Sequence, residues 1–235
     1  IKSRSSMNIK PLLTGLSIIL VNTLLGMVVI QKLHMPYTSS MFLFIVLTLI
    51  MWFFLLSKDV PITIKAIDAK MMKNTLALFL IPTAAFVFIL TNTPSVNYGI
   101  VSFLFITSFL IAVYEEILFR AIGLGSFISY GMSPFKAILL SSIIFSFCHL
   151  VFLKTFTLDS ILLLLNSFAM GFILGYIYFK TKNIVYVIGI HLIWDWAIFL
   201  NQRVADTKTG TIVTVVLLAV TIWYFIWSFR AARQL

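Results

Sequence analysis

Long apolar runs separated by short polar breaks fill the chain from end to end. A helix that crosses a bilayer needs about 20 mostly apolar residues. On that template the sequence predicts eight: Pro11–Ile30, Ser40–Ser57, Asn74–Thr91, Gly99 to about Tyr130, Ser133–Leu153, Leu158–Phe179, Ile184–Leu200 and Gly210–Phe229. Local punctuation agrees with several of these limits. Pro11 suits a first helical turn, and Ser133-Pro134 reads as an N-cap followed by proline at the first helical position. Thr93-Pro94-Ser95-Val96-Asn97 reads as a tight polar loop. Pro82 falls inside the third helix, where a bundle tolerates the expected kink. The predicted fold is an all-α membrane protein, a bundle of about eight transmembrane helices forming a single polytopic domain over residues 1–235.

Composition supports that pattern. The chain is 61% hydrophobic and 10% charged, with a mean hydropathy of +1.10, whereas a soluble domain is nearer half apolar and a quarter charged. A multi-pass protein of the cell membrane is expected. The first apolar run is long enough to span and lacks a small-residue cleavage site, so it reads as an anchor helix rather than a signal peptide. The single cysteine, Cys148, excludes an internal disulfide framework.

The formal charge of +10 raises the question of nucleic acid. The basic residues are spread through short loops instead of forming one face, so no nucleic-acid partner is expected and topology is the better account. With the N-terminus inside, the inner segments hold Lys2, Arg4, Lys10, Lys58, Lys65, Lys70, Lys73, Arg120, Lys136, Lys180, Lys182, Arg230 and Arg233. The outer segments hold only Lys32, Lys154, Arg203 and Lys208. The positive-inside rule then places both termini in the cytoplasm. The loop Lys58–Lys73 carries alternating charges and reads as an interfacial amphipathic piece, with Ile62, Ile64, Ile67, Met71 and Met72 toward lipid.

A few polar residues remain at membrane depth. Glu115, Glu116 and Asp195 are the acids within predicted spans, and His149 and His191 are the histidines there. An ionised side chain at the bilayer centre costs at least about 2.5–3.5 kcal/mol, so such groups turn toward protein or a wet cavity and suggest function. Residues four apart share a helix face. That pairs His191 with Asp195, Glu116 with Arg120, and Phe145 with His149. Glu115 and Glu116 lie about 100° apart around a helix; one should face a cavity while the other is held by partners such as Arg120. Counting about 1.5 Å per residue from the Ser133 turn puts Glu115 and His149 nearly level. His191 joins them if the hairpin tip projects roughly 10 Å beyond the Lys182 loop. Gly171 and Gly175 read as close-packing positions, Asn166 as an interhelical hydrogen bonder and Cys148 as a small buried hydrophobe.

The ordered set Glu115-Glu116-x-x-x-Arg120, Phe145-x-x-x-His149 and His191-x-x-x-Asp195 resembles the CPBP intramembrane proteases. That family includes the CAAX prenyl endopeptidases and bacterial proteins linked to bacteriocin self-immunity. Gly171-x-x-x-Gly175 and Lys180-Thr181-Lys182-Asn183-Ile184 are also similar, and the match covers roughly Val113–Leu200. The resemblance implies a glutamate-type endopeptidase with its catalytic core at about residues 99–200. Glu115 and His149 would activate a water, with Glu115 as general base. His191, with Asp195, would stabilise the oxyanion, while Glu116 and Arg120 set the geometry. The substrate would be a peptide or protein at the bilayer. Many members carry Asn where Asp195 stands. An ionised Asp only accepts hydrogen bonds, so Asp195 is either protonated or orients His191 instead.

Other chemistries fit less well. The sequence has no His-Glu-x-x-His, no second intramembrane Asp for an aspartyl dyad and no Gly-x-Ser-x-Gly elbow. No cofactor is expected. Were a metal present, Glu115, His149 and His191 are legitimate zinc ligands. The alternative from another class is a non-catalytic membrane immunity factor or a transporter, since intramembrane acids and histidines also serve proton relays.

Overall fold

The structure, a computed structural model, describes residues 9–28, 37–93, 96–153 and 155–235. The end of the first predicted helix beyond Val28, Pro94 and Ser95 of the polar loop, and the counted charges Lys2, Arg4, Lys32 and Lys154 lie outside them.

The regular elements among the described residues are all helices, with no strand; the only β-pairing there is one isolated bridge. The predicted spans appear as α1 (Lys10–Met27), α2 (Tyr37–Leu55), α3 (Ala69–Thr75) running into α4 (Ala77–Asn92), and α5 (Tyr98–Glu115). After α5 the helix continues as a π-helix (Glu116–Leu124) and then as α6 (Gly125–Ser129). There follow α7 (Pro134–Cys148) with a 3-10 turn (His149–Phe152), α8 (Leu158–Thr181), α9 (Ile184–Arg203) and α10 (Thr207–Ala232). Ala69–Asn92, Tyr98–Ser129, Leu158–Thr181, Ile184–Arg203 and Thr207–Ala232 are long and apolar enough to cross a membrane. The apolar stretches Lys10–Gly26, Phe42–Leu55 and Pro134–Cys148 are shorter. The chain is a multi-pass membrane protein.

Side-chain caps set where several helices begin. The Asp68 carboxylate accepts from the Met71 amide, Asn97 from Gly99 and Ile100, Asn183 from Tyr186, and Asp206 from Thr209. Thr157 and Ser160 form a reciprocal capping box at α8. Each satisfies amides that the first helical turn leaves without partners. Ser133 occupies the N-cap of α7 without a side-chain cap bond, and Pro134 begins the helix by its fixed φ.

The Lys58–Lys73 reading needs correction. Asp68 caps a helix that starts at Ala69, five residues earlier than hydropathy suggests, and the segment before it is extended. The Lys65 amide donates to the Lys182 carbonyl at 3.1 Å, and the Ile184 amide donates to the Thr63 carbonyl at 3.0 Å. Trp52 Nε1 donates to the Val60 carbonyl and Ser129 Oγ to the Asp59 carbonyl. The segment is thus a strap tied to the α8–α9 turn and to α6. Met71 is buried, Ile62 and Ile67 pack against the core, and only Ile64 and Met72 point outward. Backbone pairing with residues more than a hundred positions away overrides the local amphipathic pattern. Asn166 also differs from expectation: it is half-buried and has no hydrogen-bond partner among the described residues, and Ser146 Oγ makes the α7–α8 bond instead, to the Leu164 carbonyl.

Around the core, α9 packs between α4 and α5, and α8 packs between α7 and α10. The α7–α8 contact is close at Gly171. A Cβ built there meets Phe145 Cδ1 at 3.0 Å and the Ser142 Cα at 3.3 Å, so the absent side chain is what lets the two helices approach. A Cβ at Gly26 meets nothing within 4 Å. We therefore expect Gly171→Val to lower unfolding stability in detergent by about 1–3 kcal/mol through overpacking. Gly26→Ala should leave it unchanged or raise it slightly, since Ala is the better helix former. Equal effects of the two substitutions in thermal unfolding would contradict this account of the contact.

Candidate active site

Glu115 closes the α-helical winding of α5 and Glu116 opens the π-helix. The π-helix leaves Glu116 and Arg120 fully buried, at 0% and 1% exposure. Arg120 Nε lies 3.1 Å from Glu116 Oε2. Its N–H is not aimed along that line, so the contact is an ion pair rather than a hydrogen bond. The other Glu116 oxygen, Oε1, accepts from His191 Nδ1 at 2.7 Å. One buried carboxylate therefore holds a cation from its own helix and an imidazole from α9.

His191 is the hub of the cluster. Its Nδ1 is committed to Glu116, and its Nε2 stands 3.6 Å from Glu115 Oε2 and 3.4 Å from Asp195 Oδ2. Asp195 lies one turn further along α9, on the same face. Side-chain exposure rises from 0% at Glu116 to 15% at Glu115 and 19% at Asp195. The Nδ1 side of the ring is sealed, and the Nε2 side is the one that substrate or solvent could reach.

His149 approaches from α7. Its Nδ1 is 2.9 Å from the Phe145 carbonyl. A carbonyl only accepts, so in the neutral ring the proton sits on Nδ1 and Nε2 keeps its lone pair. The Glu115 carboxylate lies in the electrostatic field of His149, His191, Asp195 and Arg120. No ion pair within 4.0 Å joins Glu115 to His149 among the described residues.

Phe145 ties these parts together. Its ring lies under the Arg120 guanidinium, 4.4 Å from ring centroid to Cζ, a cation–π contact. The ring also meets Phe119 edge-on at 5.0 Å and His149 at 4.9 Å between centroids. Arg120 Nη1 and Nη2 have no hydrogen-bond partner among the described residues, so the ring face and Glu116 are what meet the charge. Cys148 lies within the electrostatic field of Glu115 but makes no hydrogen bond to the cluster among the described residues. Its Sγ lies 3.5 Å from Thr23 Oγ1 and packs with an apolar cluster.

Charge restricts the protonation states the site can hold. Three carboxylates face one arginine, so two further protons are needed for neutrality. They can sit on His149 and His191, or one can move from His149 to Glu115 without changing the total.

All six sequence-derived candidates fall around this point: Glu115, Glu116, Arg120, His191 and Asp195 in direct contact, and His149 within electrostatic range. Among the described residues, no three His, Cys, Asp or Glu side chains gather closely enough to hold a metal ion. Two neighbours escaped the sequence reading. The Tyr178 hydroxyl is 3.5 Å from Thr63 Oγ1 of the strap and lies within the field of Glu116. A tyrosine in a buried helix was the available signal, but the strap that meets it had none.

Neither a curated protein nor a solved structure matches the chain. Residues 97–197 match the family described as type II CAAX prenyl endopeptidase Rce1-like. That segment runs from the N-cap of α5 into α9 and contains all six side chains. The match over that segment supports membership of the CPBP/CAAX protease family.

Proposed function

We propose that the protein is an intramembrane endopeptidase that hydrolyses peptides or proteins at the cell membrane with a glutamate- and histidine-activated water. The observation that carries this reading is the position of His191 Nε2 beside Glu115, with His191 Nδ1 anchored on a buried Glu116–Arg120 pair. Glu115 takes a proton from water, with His149 as its partner in holding that water. The hydroxide adds to the scissile carbonyl. His191 as imidazolium offers Nε2–H to the oxyanion so formed, and a donor aimed at developing charge is the strongest single aid to acyl transfer. The proton on Glu115 then passes to the leaving amine, so one water is consumed and one acid and one amine are released. Asp195, which when ionised can only accept hydrogen bonds, serves His191 as a charge partner. Glu116 and Arg120 position the imidazole and touch neither water nor substrate. The excess of Lys and Arg on the predicted inner segments supports a site opening toward the cytoplasm, with both termini there.

Purified protein with a cleavable reporter peptide tests the assignment. Glu115→Gln and His149→Ala should each lower kcat by about a hundredfold or more, the usual worth of a positioned general base, while the protein stays folded. Undiminished cleavage in either variant would remove that residue from the mechanism. Protection or transport that survives both substitutions, in protein with no hydrolysis, would favour the immunity-factor or transporter reading.

Treatment with a chelator makes a second test. The proposed route draws its base from Glu115, so dialysis against EDTA should leave the rate unchanged. A loss restored by added zinc would instead assign Glu115, His149 and His191 as ligands.

A further inference from the structure

The turn before α7 and the first turns of that helix form a groove of about 510 Å³. Residues 131–133 make its rim, Lys136 stands at one end, and Leu139, Leu140 and Ile143 make the floor. Residues 136, 139, 140 and 143 recur at the helical period and so lie along one face of α7. Ile138 and Ser142 face α8, while Ser141 Oγ donates to the Phe119 carbonyl of the π-helix. At about 100° per residue, the groove face is turned away from both neighbours. It looks outward, toward the surroundings of the bundle.

The depth of the groove follows from how α7 meets α8. A Cβ at Gly175 meets Ile138 Cγ2 at 3.4 Å, and one at Gly171 meets the Ser142 Cα at 3.3 Å. Continuing that antiparallel register sets Lys136 beside residue 177, about one turn from the end of α8 at Thr181. The exposed Lys180 lies at that end, which is the inner side on the positive-inside reading. From Lys136 to Ile143 the floor runs about 10 Å, less than the roughly 15 Å of one leaflet's hydrocarbon. The groove thus has a cation at headgroup level and an apolar floor at the depth of acyl chains.

The charge at its mouth is uncompensated. Lys136 falls in the first turn of α7, which carries no acid. The positive end of the helix dipole disfavours a cation there. The Lys136 ammonium makes no ion pair or hydrogen bond among the described residues. Ser133 is exposed beside it, and its hydroxyl makes no cap bond. Topology accounts for a basic residue at the inner end of a helix. It does not account for a lysine and a free hydroxyl at the head of an apolar groove. Charge complementarity selects an anion that is joined to a hydrocarbon chain.

We propose that this groove binds an anionic phospholipid of the inner leaflet. The phosphate lies between the Lys136 ammonium and the Ser133 hydroxyl, and one acyl chain covers Leu139, Leu140 and Ile143. The site is separate from the cluster of Glu115, His149 and His191, and it does not depend on the endopeptidase reading.

The test uses full-length protein in detergent, titrated with palmitoyl-oleoyl phosphatidylglycerol or the matching phosphatidylcholine and read by native mass spectrometry. Wild-type protein should hold one phosphatidylglycerol about fivefold more tightly than phosphatidylcholine, the worth of one lysine near an anionic headgroup. Lys136→Gln should bring that preference to near unity. Lys58→Gln, at another exposed inner lysine, should leave it unchanged. Ile143→Trp fills the floor and should weaken both lipids. A preference absent from the wild type, or surviving Lys136→Gln, overturns the site. Equal losses in Lys136→Gln and Lys58→Gln overturn it in favour of diffuse surface charge. Displacement of the lipid by equimolar glycerol phosphate overturns it in favour of a bare phosphate site. A second measurement needs no variant: phosphatidylglycerol with a diazirine in its acyl chain should, on illumination, label residues 139–143. Labelling spread evenly over the outward helix faces would contradict the proposal.

Discussion

The structure depends on one carboxylate that no water reaches. Glu116 is wholly buried, and its two oxygens are divided between Arg120 on the same helix and His191 on α9. An ion placed in a protein interior loses several kcal/mol of hydration, and only near partners can offset that loss. Removing either partner would leave a charge stranded among apolar side chains. The arrangement therefore fixes more than a salt bridge. It fixes which way the π-helix faces, how close α9 comes to α5, and which nitrogen of His191 is left for the outer side of the cluster. The energy of this contact need not favour folding as such; its effect is that few other arrangements of these helices are tolerable.

Phe145 carries the same constraint to a third helix. Its ring supports the Arg120 guanidinium, its carbonyl holds His149 Nδ1, and Gly171 of α8 lets it sit without a clash. The position of His149 and the burial of Arg120 thus share one residue. Packing, rather than hydrogen bonding alone, keeps the acidic end of α5, the end of α7 and the middle of α9 in register. A membrane favours this solution, because helix association there relies on close packing and few polar contacts.

Much of this was legible in the sequence because polar residues stand out against lipid-grade surroundings. The eight apolar runs appear as helical segments, and the spacing of four that pairs Glu116 with Arg120 and His191 with Asp195 is seen as contact. The 100° offset between Glu115 and Glu116 separates a partly exposed carboxylate from a sealed one. The π-helix could not be read. Residues 117–119 and 121–122 are apolar, so their sequence gives no phase by which a wider winding would show. The strap was misread for the opposite reason. Its alternation of Ile and Lys has a local explanation at a membrane surface, while its true partners, Lys182 and Ile184, lie more than a hundred residues away. Periodicity reports on the helix a residue belongs to and is silent about backbone pairing at long range.

The most direct test of the central claim is a double-mutant cycle on Glu116→Gln and Arg120→Met, read as unfolding free energy by SDS titration from mixed micelles. If the buried carboxylate and the guanidinium compensate each other, each single substitution strands a charge and should cost about 3–5 kcal/mol. The double substitution should then cost clearly less than the sum, with a coupling of at least about 1 kcal/mol. Additive effects, or single substitutions with almost no cost, would contradict the claim that this pair anchors the fold around His191.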